Sequence, residues 1–362
     1  MCYNSFIQRN YEGQAISMER ITIIGLGLIG GSLGLALKAL QLSEVEIVGY
    51  DVSNRSAKKA KNKGALDRSE RNIVEAVKDA DFIIIATPVM AIKDVLETIS
   101  PHLLPDSIVT DTGSTKAQVM EWADNYLPDY VSFVGGHPMA GKEAQGIDNA
   151  DGNLFLDCTY CIIPSVRAKE TAVKSVVGMA ELVGAKPFFL DASEHDGLVA
   201  GVSHLPLILS TALVSATDRS TAWREMAKLA STGYRDVSRL ASGDPEMSGD
   251  ICLSNRESIL RWIDKFIDEL DHYKTLIKSD AEELRRVFAE AVVTREKWLK
   301  GIDLELEGIS SPELPSMRES MTNLFVGGAI ARRTKKFMKA YKENPPFPKK
   351  DEPRSGNHGE KT

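Results

Sequence analysis

From Arg20 onwards, short apolar runs alternate along the chain with segments whose apolar residues recur every three or four positions. Runs of the first kind predict buried strands, and segments of the second kind predict helices. The predicted strands are ITIIG, VEIVGYD, ADFIIIATP, SIVTDTG, YVSFVGGHP and TYCIIPS. The helices predicted between them are GSLGLALKAL, SAKKAKNKG, AIKDVLETISPHL and STKAQVMEWADNYL. This alternation predicts an α/β fold with a doubly wound, mostly parallel sheet.

The alternation of strand and helix ends near Leu190, and the chain is then predicted to be helical. The segment HDGLVAGVSHLPLILSTALVSA is long and apolar, and Pro206 within it predicts a kink. A later apolar stripe at helical spacing is formed by Ile259, Ile263, Phe266, Leu270, Tyr273 and Ile277. Such a stripe predicts a buried face. We expect part of this surface to be buried against a second copy of the chain, which predicts an all-α dimerisation domain and a homodimer.

Composition limits the functions that this chain can have. It has 362 residues, of which 43% are apolar and 26% charged, as is usual for a globular protein of two domains. The net charge of −7 argues against binding to nucleic acid or to an acidic membrane surface. No apolar run approaches the roughly 20 residues that span a bilayer, and the N-terminal segment lacks the apolar core of a signal peptide. We therefore expect a cytoplasmic protein with no nucleic-acid or membrane partner.

The four cysteines are too few and too scattered to form a disulfide framework. Cys158 and Cys161 form a C-x-x-C within LFLDCTYCIIP, which is predicted to be a buried strand. No second pair of cysteine or histidine residues completes a zinc site. The sequence therefore predicts packing for these thiols and no metal site.

The segment GLGLIG follows the first predicted strand and opens the first predicted helix. It places Gly25, Gly27 and Gly30 in the G-x-G-x-x-G spacing of a Rossmann-type dinucleotide site. Gly25 permits a tight turn, Gly27 lets the backbone approach a pyrophosphate, and Gly30 allows the helix to pack closely on the strand. Leu28 and Ile29 lie at the helix N-terminus, where free N–H groups face the phosphate charge. The alternative is a glycine-rich turn that binds no ligand.

Two further positions concern the identity of the cofactor. Asp51 ends the second predicted strand, where a carboxylate accepts hydrogen bonds from the adenosine ribose and repels a ribose phosphate. Asp51 therefore favours NAD over NADP, although the nearby Arg55 could receive a phosphate. Thr87 and Pro88 end another predicted strand at the carboxyl edge of the sheet, where such folds bind ligands. The alternative for both is a simple end of a strand.

These changes of pattern predict four parts of the chain. Residues 1–17 form a loose N-terminal extension, and residues 18–190 form an NAD-binding Rossmann domain. Residues 191–308 form a helical substrate and dimerisation domain. Residues 309–362 form a C-terminal extension that is proline-rich and charged, and they are predicted to be disordered towards the end.

Two polar residues follow predicted strands at the cofactor edge of the sheet. Ser114, in DTGSTK, can turn its hydroxyl towards the nicotinamide, or it can cap the next helix, as can Thr115. His137, in VGGHPMAGKEAQG, stands among glycines and directly before Pro138. A neutral imidazole can accept, near pH 7, the proton that an alcohol loses as its hydride departs. His137 is therefore a candidate general base, with a purely structural histidine as the alternative.

The predicted helical domain contributes four more polar candidates: His195, His204, Arg235 and Arg239. An arginine can hold a carboxylate through two parallel hydrogen bonds, although a surface ion pair is its commoner role.

Five separated segments occur in the order GLGLIGGSLGLALK, DTGSTK, GGHPMAGKE, EHDGLVAGVSHLP and GYRDVSRLASGDPEM. Together they resemble the prephenate dehydrogenase family, which acts in tyrosine biosynthesis. The resemblance runs from about Glu19 to about Leu299. It implies NAD-dependent oxidative decarboxylation of prephenate, or of arogenate as the alternative substrate. In that reaction the ring carbinol gives up a hydride, the ring carboxylate leaves as CO2, and the product is aromatic.

The resemblance also implies roles for individual residues. His137 bonds the ring hydroxyl and takes up its proton, and Ser114 bonds the same hydroxyl and helps to align the nicotinamide. Arg239 binds a substrate carboxylate.

The remaining implied residues are His195 and Asp196, which shape the mouth of the cleft, and His204 behind them. Two positions depart from some bacterial members, which have a histidine where this chain has Leu207 and a tryptophan where it has Ser248. Both positions lie near the substrate side chain in the family, so the departures leave the choice between prephenate and arogenate open.

Two other classes of protein remain open on the sequence. A β-hydroxyacid dehydrogenase or imine reductase also joins a G-x-G-x-x-G domain to a helical dimer domain, but such enzymes normally use a lysine or an acid in place of GGHPMAG. A non-catalytic NAD-binding sensor or assembly module need not keep His137, Ser114 and Arg239 together.

Overall fold

The computed structural model describes residues 20–42, 45–142 and 144–301. The predicted extensions over residues 1–17 and 309–362 lie outside the described residues, and they stay predictions.

A single eight-stranded sheet accounts for all the strands of the described residues, in the order β3-β2-β1-β4-β5-β6-β7-β8. The strands are β1 (Arg20–Ile24), β2 (Glu46–Tyr50), β3 (Arg68–Glu70), β4 (Phe82–Ile85), β5 (Ile108–Asp111), β6 (Ser132–Pro138), β7 (Thr159–Pro164) and β8 (Lys186–Phe189). Neighbouring strands are parallel except β6 and β7, which pair antiparallel. The predicted mostly parallel, doubly wound sheet is confirmed. The expected strand over LFLDCTYCIIP is shorter than predicted, because residues 154–157 form a turn and β7 begins only after Cys158.

Helices cover both faces of this sheet. They are α1 (Leu28–Ala39), α2 (Asn54–Asn62), α3 (Ile73–Val77), α4 (Ile92–Ile99), α5 (Ala117–Tyr126) and α6 (Glu170–Leu182). One core cluster packs Leu33, Phe82 and Val176 on one face, and a second packs Ile83, Leu96 and Val119 on the other. Apolar burial on two faces explains why β4 reads as an unbroken apolar run, FIII.

After β8 the described chain is entirely helical. The helices are α7 (Ala192–Val199), α8 (Leu205–Asp218), α9 (Trp223–Leu229), α10 (Thr232–Ser238), α11 (Pro245–Ser254), α12 (Arg256–Ser279) and α13 (Ala281–Leu299). A π-helical turn, Ala200–His204, joins α7 to α8 just before Pro206. Proline lacks the N–H that a regular helix needs, so the irregularity expected at this residue falls in the preceding turn.

The apolar stripe of α12 is only partly covered within one chain. Ile259 is buried and Ile263 packs against it, whereas Leu270 and Ile277 are 49% and 69% exposed. Exposed apolar positions continue along α13, at Phe288, Val292, Val293, Trp298 and Leu299. A contiguous apolar surface of this kind marks an interaction face.

One expectation about membranes is corrected by the structure. Among the described residues, Ala192–Asp218 forms one helical run that is long and apolar enough to cross a bilayer by length and composition. The polar residues His195, Asp196 and His204 interrupt the apolar residues of this segment, which is why the sequence pattern predicts a shorter apolar run. A single such run is weak evidence for a membrane span, because helices that pack inside proteins pass the same test, and 28% of this one is already buried in the single chain.

Candidate active site

The C-terminal ends of the parallel strands β1, β4, β5 and β6 meet at one edge of the sheet, and the first helices of the helical region pack against that edge. Ligands bind at this edge in doubly wound sheets. The loop after β1 contains the glycine motif, the loop after β5 contains Ser114, and His137 lies at the C-terminal end of β6. The topology therefore brings together most of the candidates from the sheet region.

The glycine loop has the geometry that a dinucleotide requires. Gly25 has φ +92°, and a Cβ there would lie 2.5 Å from the carbonyl oxygen of Ala86. A Cβ on Gly30 would lie 2.0 Å from the Gly25 oxygen, so the helix and the strand touch through this glycine. Gly27 is different, because a Cβ built on it meets nothing within 4 Å. Its Cα therefore borders open space at the start of α1.

The N-terminus of α1 is the positive end of the helix dipole, and no negatively charged side chain of its own first turn neutralises it. No side chain caps it, and no acidic residue lies in its first turn, which contains Leu28 and Ile29. Free N–H groups and the helix dipole at such an end attract an anion. The residues present fit the pyrophosphate of a dinucleotide.

Asp51 lies directly after β2, beside the glycine loop. Its Oδ2 accepts a hydrogen bond from the Leu26 N–H and its Oδ1 accepts one from the Ser53 N–H, each at 2.8 Å. The carboxylate is half-buried and fixed in orientation, and each oxygen retains a lone pair for a further donor such as a ribose hydroxyl.

Thr87 and Pro88 follow β4 at the same edge. The hydroxyl oxygen of Thr87 is buried and has no hydrogen-bond partner within the described part of the protein. A buried hydroxyl of this kind lacks an interaction that a ligand or water can supply. Pro88 is exposed and precedes a 3-10 turn, Val89–Ala91.

His137 is joined to the helical region by a chain of hydrogen bonds. Its Nδ1 atom lies 2.9 Å from the Nε2 atom of His195, and the Nδ1 atom of His195 lies 2.8 Å from Oδ1 of Asp196. All three side chains are buried, with His137 the most accessible at 8%. The two imidazole rings meet edge to face.

This network assigns the tautomers of both imidazoles. An ionised carboxylate can only accept, so His195 donates its Nδ1 proton to Asp196. Neutral His195 then has its lone pair on Nε2, and His137 must donate to it from Nδ1. The lone pair of neutral His137 is consequently on Nε2.

Asp196 also fastens the helical region to the sheet region. Its two carboxylate oxygens accept the N–H groups of Lys116 and Ala117 at 2.7 and 2.9 Å, which caps α5 from another element. The expected capping of this helix by Ser114 or Thr115 is therefore wrong, because the helix begins later and its first N–H groups already have a carboxylate. His195 and Asp196, which the resemblance implies at the mouth of a cleft, are both buried in the single chain, where His195 contacts His137.

His204 lies on the π-helical turn, deeper in the same network. The side-chain N–H2 of Asn255 donates to the backbone oxygen of Asp196 at 2.7 Å and lies 3.3 Å from Nδ1 of His204. His204 is 1% exposed. Its buried position makes it a support of the network in the single chain.

Burial determines the charge of these imidazoles. Burial away from water holds the pKa of His137 well below its ordinary value of 6.5, and the nearby His195, Lys116 and His204 lower this pKa further. Desolvation also lowers the pKa of His204 to about 4, although Asp196 opposes this shift. Both rings are therefore neutral at physiological pH, and His137 is a proton acceptor.

Ser114 borders this network, because its backbone lies against His204, whereas the two arginines lie apart from it. Ser114 is half-buried in the loop between β5 and α5. Arg239 is exposed and begins a 3-10 turn, Arg239–Ser242, that packs against α8 and α10, and Arg235 is exposed on α10. The structure thus gathers His137, His195, His204 and Asp196 and leaves the two arginines on the helical surface.

Sequence reasoning missed four residues of the network: Asp111, Lys116, Ser254 and Asn255. Thr115 and Ser254 join their hydroxyls at 2.9 Å across the two regions. Asp111 and Lys116 form a completely buried ion pair. A charged residue at the end of a fully buried strand, as in IVTD, was the available signal, since such a charge requires a partner.

The chain matches two family models. The model described as "Prephenate dehydrogenase, nucleotide-binding domain" matches residues 33–188, and the one described as "Prephenate dehydrogenase, dimerization domain" matches residues 191–290. Together they cover well over half of the chain.

Individual relatives agree with these matches. The chain is 36% identical over 327 residues to a prephenate dehydrogenase of Bacillus subtilis, which covers 86% of each sequence. It resembles the crystal structure of prephenate dehydrogenase from A. aeolicus in complex with hydroxyphenyl propionate and NAD+, with TM-score 0.73 and 31% identity over 78% of this chain and 99% of that one. It also resembles Synechocystis arogenate dehydrogenase, with TM-score 0.66 and 31% identity over 77% and 99% of the two chains.

Proposed function

The chain belongs to the prephenate dehydrogenase family, and on that basis we propose that it oxidises and decarboxylates prephenate to 4-hydroxyphenylpyruvate, with NAD as cofactor, in tyrosine biosynthesis. The observation that carries this proposal is the neutral, buried His137, whose acceptor lone pair is assigned to Nε2 at the cofactor edge of the sheet.

NAD+, when bound, supplies the acceptor for the hydride of the ring carbinol. We assign its pyrophosphate to the N–H groups at the start of α1, beside Gly25, Gly27 and Gly30. Asp51 accepts from the ribose hydroxyls. Thr87 and Pro88 border the cofactor where β4 ends, and the unpartnered Thr87 hydroxyl is one group that a ligand would satisfy.

His137 serves as the proton acceptor. Its Nε2 lone pair takes the proton of the ring hydroxyl as the carbinol becomes a carbonyl, and it returns that proton to the ring oxygen once loss of CO2 has made the ring an aromatic phenolate. The charge on His137 between these two steps is stabilised through His195, because the Nε2 atom of His195 accepts from Nδ1 of His137. Asp196 holds His195 in the tautomer that permits this.

Ser114 and Arg239 complete the proposed set. The half-buried Ser114 hydroxyl bonds the same ring oxygen as His137 and helps to align the nicotinamide. Arg239, at an exposed position of the helical region, binds a carboxylate of the substrate through its planar guanidinium. His204 supports the buried network from behind.

The preference for prephenate over arogenate rests on the two positions that depart from some bacterial relatives. Leu207 and Ser248 line one cavity of about 360 Å³ between α8 and α11, together with Ile208 and Cys252. Every lining residue is uncharged. Arogenate has an ammonium group that a carboxylate would neutralise, and this cavity offers hydroxyl and thiol groups but no carboxylate, so we favour the uncharged keto group of prephenate.

A second copy of the chain is the proposed macromolecular partner. The residues matched by the dimerization-domain model include the exposed apolar positions Leu260, Ile267, Leu270 and Ile277 of α12 and Phe288 of α13. A homodimer would cover those positions. We propose no nucleic-acid or membrane partner, and we place the enzyme in the cytoplasm.

The test is a comparison of substrates. Purified full-length protein is mixed with NAD+ and prephenate, with NAD+ and arogenate, and with NADP+ and each of them, and NADH or NADPH is followed by its near-ultraviolet absorbance. We expect the highest kcat/KM for prephenate with NAD+. A higher kcat/KM for arogenate would reassign the substrate. A folded dimer that binds NAD+ but turns over neither compound would instead support a non-catalytic sensor.

A further inference from the structure

Asp111 and Lys116 form an ion pair from which water is excluded. Asp111 is the last residue of β5, and Lys116 lies five residues later, just before α5. Both side chains are 0% exposed, and the Lys116 ammonium donates to Oδ2 of Asp111. A fully buried pair of this kind contributes little net stability, because desolvation of the two charges offsets their attraction. Its position in the site offers another reason for its presence.

The Asp111 carboxylate ties together the two segments that present the proposed catalytic residues. Its Oδ2 accepts the N–H of Gly113 at 2.8 Å, and Gly113 directly precedes Ser114. Its Oδ1 accepts the N–H of Gly136 at 3.2 Å, and Gly136 directly precedes His137. One side chain therefore holds the backbone next to both groups.

The glycines make this double contact possible. A Cβ on Gly113 would lie 2.9 Å from Oδ2 of Asp111. A Cβ on Gly136 would lie 2.6 Å from the backbone oxygen of Asp111 and 2.9 Å from the ring of Tyr160. There is no space for a side chain at either position while the carboxylate reaches both N–H groups.

We propose that Asp111 and Lys116 are a positioning pair, in which the Asp111 carboxylate fixes the Ser114 loop against the His137 strand and Lys116 neutralises that carboxylate. Neither side chain touches substrate in this account. The proposal rests on the roles proposed above for Ser114 and His137. It explains why a charged pair stands where an apolar pair would be no less stable.

The deciding variant is the double substitution Asp111→Asn with Lys116→Met. It leaves no unpaired buried charge, so we expect it to recover most of the melting temperature that either single substitution loses. Asparagine has one oxygen, and its N–H2 cannot accept, so it cannot hold both glycine N–H groups. We expect kcat with prephenate to stay at least tenfold below the unaltered enzyme, while KM and the dissociation constant of NAD+ change less than threefold.

The matched control is Tyr160→Phe. The Tyr160 hydroxyl is buried beside Gly136 and has no hydrogen-bond partner among the described residues. Its removal breaks none of the contacts of Asp111, and we expect kcat to be unchanged. A double variant with restored melting temperature and unaltered kcat would reduce the pair to a structural role and overturn the proposal.

The pH profile gives a second readout, from the single variant Lys116→Met. The groups around His137 are Lys116, with its partner Asp111, from the β5–α5 segment, Cys161 directly opposite on β7, and His195, Asp196 and His204 from the helical region. Lys116 is among the groups that lower the pKa of His137. Without it we expect the acid limb of kcat/KM to move to higher pH, and an unmoved limb counts against the proposal.

Two measurements keep the proposal open to refutation if these variants do not fold. Asp111→Glu keeps the ion pair and displaces its oxygens, and we expect lower kcat from a folded protein. In the unaltered enzyme, amide hydrogen exchange at Gly113 and Gly136 is expected to be slow, and exchange as fast as at an exposed loop would overturn the proposal. Failure of the unaltered enzyme to oxidise prephenate or arogenate would instead refute the proposed function. The exchange rates at Gly113 and Gly136 do not depend on turnover, so they distinguish the two failures.

Discussion

Nδ1 of His137 lies 2.9 Å from Nε2 of His195, although 58 residues separate them along the chain. The first residue ends a strand of the sheet, and the second lies on the first helix of the helical region. The basicity of His137 therefore depends on how the two regions are packed.

Removal of the imidazole tests its role as proton acceptor. For His137→Asn we expect kcat with prephenate to fall roughly 10²–10⁴-fold, the usual contribution of a general base. NAD+ binding, measured by titration calorimetry, should be unchanged because the glycine loop is untouched. His102→Asn, on an exposed histidine, is the control. A kcat within tenfold of the unaltered enzyme would remove His137 from the mechanism.

The pH dependence of the reaction follows from the burial of the same ring. Burial holds the pKa of His137 well below 6.5, and only the neutral ring accepts a proton. Activity should therefore fall as the pH drops through that lowered pKa, and kcat/KM should already be at its plateau at pH 7. Rates measured across the acid range in a buffer of constant ionic strength check this. An acid limb centred above pH 7 is incompatible with a neutral, buried base.

Asp196 is predicted to affect both activity and stability. Asp196→Asn cannot accept from His195 and from both N–H groups of α5, so we expect kcat to fall roughly 10²-fold or more, and stability to fall by about 1 kcal/mol through loss of the helix cap. Asp191→Asn is the control, because Asp191 caps α7 through one oxygen, which asparagine retains, so neither kcat nor stability should change. An Asp196→Asn variant as active and as stable as Asp191→Asn would show that the second carboxylate oxygen of Asp196 is not needed.

Substitution of Gly27 tests cofactor binding without disturbing the fold. Gly27→Ala places a methyl group in open space, so we expect the melting temperature to stay unchanged while NAD+ binds at least about tenfold more weakly, a difference of about 1.4 kcal/mol. Gly141→Ala, which also meets nothing within 4 Å, is the control. Unaltered NAD+ affinity in Gly27→Ala would move the pyrophosphate away from this loop.

His204 makes folding sensitive to acid. The pKa of His204 is lowered to about 4 in the folded protein and is about 6.5 in the unfolded chain. Between these values the unfolded chain binds the proton and the folded one does not, so stability decreases as the pH falls from 6.5 to 4, by on the order of 3 kcal/mol for this group. Urea unfolding at fixed protein concentration measures this. His204→Asn should reduce the pH dependence, whereas His272→Asn, at an exposed site, should not.

Much of the fold was accessible from the sequence because it depends on local patterns. Unbroken apolar runs such as FIII indicate strands covered on both faces, and the glycine spacing after the first strand indicates a dinucleotide loop. Short or amphipathic elements such as β3, α3, α6 and β8 were absent from that prediction. Three residues, as in β3, give too little periodicity to be recognised.

The site was less accessible because its contacts are non-local. No spacing rule links His137 to His195, or Asp196 to the start of α5, since these contacts form only when the helical region packs on the sheet. The sequence therefore favoured Ser114 or Thr115 as a cap, the nearest residues with a suitable side chain. Asp111 ends β5 and Lys116 precedes α5, and no sequence pattern shows that the intervening loop folds back to bring their side chains into contact.

The carboxylate of Asp196 makes three kinds of contact: it caps the N-terminus of α5, it orients the imidazole of His195, and it joins the helical region to the sheet region. Asparagine and serine each have a single acceptor oxygen, so replacement by either loses at least one of these contacts. A change at Asp196 therefore alters at once the start of α5, the orientation of His195 and the packing of the helical region on the sheet.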